Sequence, residues 1–146
     1  MNDVPKRSGG GNRGQAAYGV VVADNDHRVR AAMVELVSDH PGLHLVGEAV
    51  DGRLAAALCR RFRAAVAVVD VRMPHGGDVA IDAIRVACPS TVVVVYTTLA
   101  DRRTRKRMLD AGAAAVIVKG SDANVADELY ALAESSATST GVTGTD

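Results

Sequence analysis

Along most of its length the chain alternates short apolar runs with longer segments in which apolar residues recur at helical spacing. The first run is Tyr18-Gly19-Val20-Val21-Val22-Ala23; after it Val29, Met33, Leu36 and Val37 fall on one face of a helix that Pro41-Gly42 ends. A second strand is predicted over Leu43 to Val50, followed by a helix whose apolar stripe is Leu54, Leu58 and Phe62. Ala65 to Val69 is apolar on both faces, as a strand in the middle of a parallel sheet must be. Helical spacing returns over Asp78 to Cys88 until Pro89 stops it, and Val92 to Tyr96 is the fourth strand. Asp101 to Ala111 reads as a helix broken by Gly112, Ala115 to Val118 as the fifth strand, and Val125, Leu129, Leu132 and Ala133 mark the last helix. Five β/α units in succession predict an α/β domain, a doubly wound parallel sheet with helices on both faces.

The two ends break this pattern. Residues 1–17 are rich in Gly and polar groups and residues 135–146 in Ser, Thr and Gly, too little apolar surface in either to offset the entropy of ordering. Disordered tails are expected there, around one domain spanning residues 18–134. A length of 146 residues and a hydrophobic content of 48% fit a single domain with a sizeable core. Seventeen Lys and Arg balance seventeen Asp and Glu, which argues against a uniformly basic nucleic-acid binder. Three Tyr, one Phe and no Trp leave few stacking platforms for single strands. Cys59 and Cys88 lack the spacing of a metal or redox pair and read as buried thiols in a reducing compartment. No export signal or membrane span is recognisable, so a cytoplasmic location is expected.

Ligands of an open parallel sheet bind beyond the carboxyl ends of its strands. Strand one ends in Asp24-Asn25-Asp26, strand three in Asp70, strand four in Thr97-Thr98 and strand five in Lys119, while strand two supplies nothing comparable. In the strand order 2-1-3-4-5, strands one and three are neighbours at the topological switch point, which places Asp24 beside Asp70. Like charges so close call for a proton or a cation, and hard oxygen ligands suit Mg²⁺. The blander reading of each aspartate alone is a helix or turn cap.

Val22-Ala23-Asp24-Asn25-Asp26, Val46-Gly47-Glu48-Ala49, Val68-Val69-Asp70-Val71-Arg72-Met73-Pro74 and Asp110-Ala111-Gly112-Ala113 leading to Val118-Lys119 occur in that order between Val20 and Gly120. Together they resemble the receiver domain of two-component response regulators, closest to the branch often joined to helix-turn-helix output domains. The resemblance implies a flavodoxin-like (βα)₅ fold and a phosphoacceptor, Asp70, that takes a phosphoryl group from a phosphohistidine or a small acyl phosphate. It further implies Mg²⁺ held by Asp24, Asn25, Asp70 and the backbone carbonyl of Arg72, with Thr97 and Lys119 sensing the phosphate. The implied partners are a sensor histidine kinase or phosphotransfer protein and a downstream protein or output domain on another chain; a homodimer is left open, and no DNA-binding domain is expected in this chain.

Receivers usually carry a second acidic residue where this chain has Asn25, which lowers the charge offered to Mg²⁺ unless Asp26 turns inward. They commonly place an aromatic where this chain has Val116, and Tyr96 should face away from Thr97. Gly120 stands for a frequent proline. The loop His75-Gly76-Gly77-Asp78 lacks the usual glycine eight residues past the acceptor, so looser loops are expected. Arg102, Arg103, Arg105, Lys106 and Arg107 gather on or beside the fourth helix, either a solvated face or a docking patch for an acidic partner. Two other functions remain. One is a phosphorylation-independent interaction module on the same scaffold. The other is a haloacid-dehalogenase-type phosphatase with Asp24 as nucleophile, disfavoured by the missing further acidic pair.

Overall fold

The computed structural model describes residues 17–120 and 124–145. Its elements are β1 (Tyr18–Ala23), α1 (His27–Asp39), β2 (Leu43–Ala49), α2 (Gly52–Phe62), β3 (Val66–Val69), α3 (Gly77–Ala87), β4 (Val92–Thr97), α4 (Arg102–Ala111), β5 (Ala115–Val118) and α5 (Val125–Thr145). The five strands form one parallel sheet in the order β2-β1-β3-β4-β5, as predicted. β1 runs in register with β3 from Val20 opposite Val66 to Ala23 opposite Val69, so the next residues, Asp24 and Asp70, leave the sheet side by side. Three helices begin on an aspartate whose carboxylate caps free backbone N–H groups: Asp26 for α1, Asp51 for α2 and Asp101 for α4.

Alternation along the valine-rich strands divides the core in two. Val21, Ala23, Val69, Val93 and Val95 face α2, α3 and α4, where they meet Ala55, Cys59, Ile81, Ile84 and Met108. Val20, Val22, Val66, Val68 and Val94 face α1 and α5, meeting Met33, Val37, Leu129 and Ala133. Each Val, Ile, Leu or Met side chain removed from water contributes about 1.5–3 kcal/mol before the entropy of ordering is subtracted. These cores hold the strand ends in place.

The buried face of α2 keeps only Leu58 of the predicted stripe, packed against the core. Leu54 and Phe62 are 41% and 46% exposed, and Gly52, Ala55, Ala56 and Cys59 turn inward instead. The cause is close approach: a Cβ added to Gly52 would stand 2.8 Å from the Cα of Ala80 on α3. Only small residues fit such a seam, and the larger ones are displaced to its rim.

The last helix also differs from expectation. α5 runs to Thr145, into the stretch 135–146 read as a tail. Low apolar content limits tertiary burial, but a helix already anchored by Leu129 and Ala133 propagates by adding one backbone hydrogen bond per residue. Of the tail predicted over residues 1–17, residues 1–16 lie outside the described residues, as does Asp146.

Candidate functional site

The ends of β1, β3, β4 and β5 bring Asp24, Asp70, Thr97 and Lys119 together. Asp24 and Asp70 are 3% and 7% exposed, and the Lys119 ammonium sits between them, 3.3 Å from Asp24 Oδ2 and 3.0 Å from Asp70 Oδ2. Thr97 is fully buried next to Asp70, and its hydroxyl is among the groups that lower the Asp70 pKa. The backbone N–H of Lys119 donates to the carbonyl of Thr97 at 2.8 Å, which ties these two residues through the sheet. A cavity of about 490 Å³ opens above, lined by Asp24, Asn25, Asp70, Arg72, Thr98 and Lys119 among others.

The two carboxylates differ electrostatically. Burial raises the pKa of Asp24; the N–H of Asp26, 2.8 Å from Oδ1, and the Lys119 charge offset this only in part, and the Asp70 charge adds to the rise. Burial also opposes ionisation of Asp70, but Thr97, Lys119 and the backbone N–H of Arg72 together outweigh it and leave its pKa lowered. Asp70 is thus the carboxylate kept ionised, and Asp24 the one that takes the first proton as pH falls. Hydrogen bonds that favour a charged form can outweigh desolvation in this way.

Asp26 does not turn inward to replace the missing charge. It is exposed, and its carboxylate accepts the N–H groups of Arg28 at 2.9 Å and Val29 at 3.4 Å, so the capping reading holds for it. These bonds, that of Val29 first, hold its pKa below the usual carboxylate value. Among the described residues no group of three or more His, Cys, Asp or Glu is assembled for a metal. The site offers two carboxylates, the Asn25 amide and the Arg72 carbonyl, all oxygen donors that could hold a hard divalent cation.

Three supporting features escaped the sequence reading. Strand β2 does contribute: Glu48 accepts Arg30 Nε at 3.2 Å, and Arg30 Nη1 donates to the backbone carbonyl of Asp24 at 2.6 Å, fixing the turn after β1. An arginine six residues past Asp24, opposite an acid at the end of β2, was the available signal. Second, the Arg72 guanidinium donates to Thr98 Oγ1 at 3.3 Å across the mouth of the cavity. Third, the loop after Pro74 is not slack. Gly77 N donates to the carbonyl of Val71 at 2.9 Å, and a Cβ on Gly77 would lie 2.8 Å from the Cα of Val71. Gly77 therefore supplies the close approach that the expected glycine one position later would have supplied. His75 and Gly76 take the positive φ angles of 71° and 102° that the turn requires.

Val116 packs in the core facing α4, and Tyr96 lies on the opposite face of the sheet from Thr97, with its ring 5.6 Å from the Lys119 ammonium. His75 lines a separate hollow of about 480 Å³ with Asp51 and Val79, which neither Asp24 nor Asp70 lines. On α4 all five basic residues are exposed. Lys106 pairs with Asp110 at 2.7 Å and Arg105 reaches the Val116 carbonyl at 3.4 Å, whereas Arg102, Arg103 and Arg107 have no hydrogen-bond partner among the described residues.

A family model of the response regulator receiver domain matches residues 20–131. Protein-glutamate methylesterase/protein-glutamine glutaminase 4 of Myxococcus xanthus is 38% identical over 102 residues, covering 68% of this chain and 29% of that protein. Response regulator GacA of Pseudomonas protegens is 32% identical over 106 residues, covering 72% of this chain and 50% of that protein. The chain thus spans from under a third to half of the length of these two relatives. Among solved structures, the signal receiver domain of the putative response regulator NarL from Mycobacterium tuberculosis superposes with a TM-score of 0.75 at 27% identity, covering 82% of this chain and 98% of that one.

Proposed function

The chain belongs to the receiver-domain family of two-component response regulators, and from that premise we propose that Asp70 accepts a phosphoryl group and relays the change to a partner through Thr97, Lys119 and α4. The observation that carries the reading is the ionised, nearly buried Asp70 carboxylate held between Thr97 and Lys119 at the open end of the sheet. An Asp70 oxygen attacks phosphorus while the P–N bond of a phosphohistidine or the P–O bond of an acyl phosphate breaks, the electron pair leaving with the imidazole or the carboxylate. Asp24, Asn25, Asp70 and the Arg72 carbonyl fit Mg²⁺ by donor type, and such an ion would neutralise charge on the transferring group. Lys119 places a compact positive charge on Asp70 and so beside the new phosphoryl oxygens. The Thr97 hydroxyl, beside Asp70 and accepting the Leu99 N–H at 3.1 Å at rest, turns to the phosphoryl group and draws the loop leading to α4 with it.

In this reading the chain is a phosphoacceptor whose only turnover is slow self-hydrolysis, not an enzyme. Its donor is a sensor histidine kinase or phosphotransfer protein, it works in the cytoplasm, and its output passes to another protein or an output domain. No helix among the described residues is long and apolar enough to cross a membrane. The test is incubation with acetyl phosphate and Mg²⁺ followed by intact-protein mass measurement, wild type against Asp70→Asn. One phosphoryl group on wild type and none on the variant is expected. No Asp70-dependent adduct at high Mg²⁺ would remove the phosphoacceptor reading and leave the phosphorylation-independent interaction module.

A further inference from the structure

We propose that the side chain of Arg72 is a phosphate-binding arm: at rest its guanidinium lies on Thr98 across the mouth of the site, and it transfers to the outer phosphoryl oxygens once Asp70 is modified. The proposal rests on the phosphoacceptor reading and adds a residue whose side chain that reading leaves idle.

The arm is anchored on the acceptor itself, because the Arg72 backbone N–H donates to Asp70 Oδ1 at 3.3 Å. From there the side chain crosses from the loop after β3 to the loop after β4, where Nη2 meets Thr98 Oγ1 at 3.3 Å. Both residues line the cavity over Asp70. Among the described residues no carboxylate lies within ion-pair distance of the guanidinium. Its one side-chain partner among the described residues is a neutral hydroxyl, which occupies one of five donors.

Charge gives the arm its task. Among the described residues Lys119 is the only ammonium on the two carboxylates and is divided between them, and Asn25 adds none of the charge an acid would use to hold a metal tightly. Converting the carboxylate of Asp70 into an acyl phosphate adds about one further negative charge at the cavity floor. A guanidinium beside it exchanges a neutral acceptor for charged, fork-matched oxygens, a stronger class of hydrogen bond. The same exchange releases Thr98, the first residue of the loop that leads to α4, so binding the phosphate unties that loop.

The experiment is calorimetric titration of the whole chain, first with Mg²⁺ alone and then with beryllofluoride at saturating Mg²⁺, for wild type, Arg72→Ala, Arg72→Lys, Thr98→Val and Asp70→Asn. Every Arg72 variant keeps the backbone carbonyl. The expected result is a loss of beryllofluoride affinity of roughly fivefold to tenfold in Arg72→Ala, partly restored in Arg72→Lys, with Mg²⁺ affinity unchanged or tighter. Thr98→Val should bind beryllofluoride at least as tightly as wild type, since the resting bond competes with the phosphate. Equal beryllofluoride affinity in wild type and Arg72→Ala would overturn the proposal alone. A parallel loss of Mg²⁺ and beryllofluoride binding would also overturn it, marking Arg72 as a prop of the fold. Absence of Asp70-dependent beryllofluoride binding in wild type would instead bring down the phosphoacceptor reading, and the arm with it.

Discussion

Asp24 and Asp70 lean on the same ammonium, yet burial wins at one and hydrogen bonding at the other. The signs give opposite effects on stability. A folded-state pKa that is lowered, as at Asp70, contributes stability that is present above the unfolded carboxylate value and lost as pH falls through the folded one. At Asp24, where it is raised, stability is lost as pH climbs from the unfolded value to the folded one, and the loss persists at neutral pH. Asp24→Asn should therefore melt higher than wild type at pH 7, by about 1 kcal/mol of stability, a size common when a strained functional group is relieved. The gain should vanish as pH drops below the unfolded carboxylate range, which thermal melts across pH can follow, while Mg²⁺ binding is lost. Asn25→Asp should do the reverse: about tenfold tighter Mg²⁺ by titration, one added charge at the metal's edge being worth on the order of 1.4 kcal/mol. The placement of Asp24, Asp70, Thr97 and Lys119 was legible in the sequence because each stands at or directly after the end of a strand. Arg30 and the Arg72 side chain were not, since their role depends on where long side chains reach in space and no periodicity records that.

Among the elements, the helices show most clearly where sequence reading stops. Apolar spacing located α2 but chose Leu54 and Phe62 for its inner face, because hydrophobicity ranks them above Ala55 and Ala56. Space decided otherwise, through the approach of Gly52 to Ala80. α3 begins with a similar constraint, and Gly77→Ala should cost about 1–3 kcal/mol through overpacking against Val71, measurable by urea unfolding. For α4, Lys106 and Arg105 are engaged within the domain, which leaves Arg103 and Arg107 as an exposed pair one turn apart. Reversing both to Glu should leave stability within about 0.5 kcal/mol, since surface changes away from packed features do little. If α4 docks on an acidic partner, the same change should abolish co-purification with that partner while Asp70 is still phosphorylated by acetyl phosphate.

For the molecule as a whole, order and direction of the strands were readable because a parallel sheet needs apolar runs separated by helices, and the run over β3 is buried on both faces. The extent of α5 was not, because Ser, Thr and Gly composition speaks to burial and not to continuation of a helix. Both cysteines are buried as expected, in the core beneath α2, α3 and α4. Burial pushes the Cys59 thiol up to about 12, whereas at Cys88 bonds from Thr91 and Ser90 outweigh burial and lower the value. A thiol reagent should therefore modify Cys88 before Cys59 in the native protein and both together only after denaturation, with the slow phase tracking global opening.

The seams at Gly77 and Gly52 carry a mechanical consequence. A contact between side chains absorbs a displacement by rotating a bond, but main chain against main chain has no rotamer to spend. Gly77 sits on the backbone of Val71 and Asp70, α3 carries Ala80 three residues on, and Ala80 meets Gly52 at the start of α2. From the Asp70 loop to α2 the linkage has no slack. A shift of a few tenths of an ångström at Asp70 must move both helices as stiff bodies or be refused, which makes this flank of the domain a fixed fulcrum for any movement of the loop before α4.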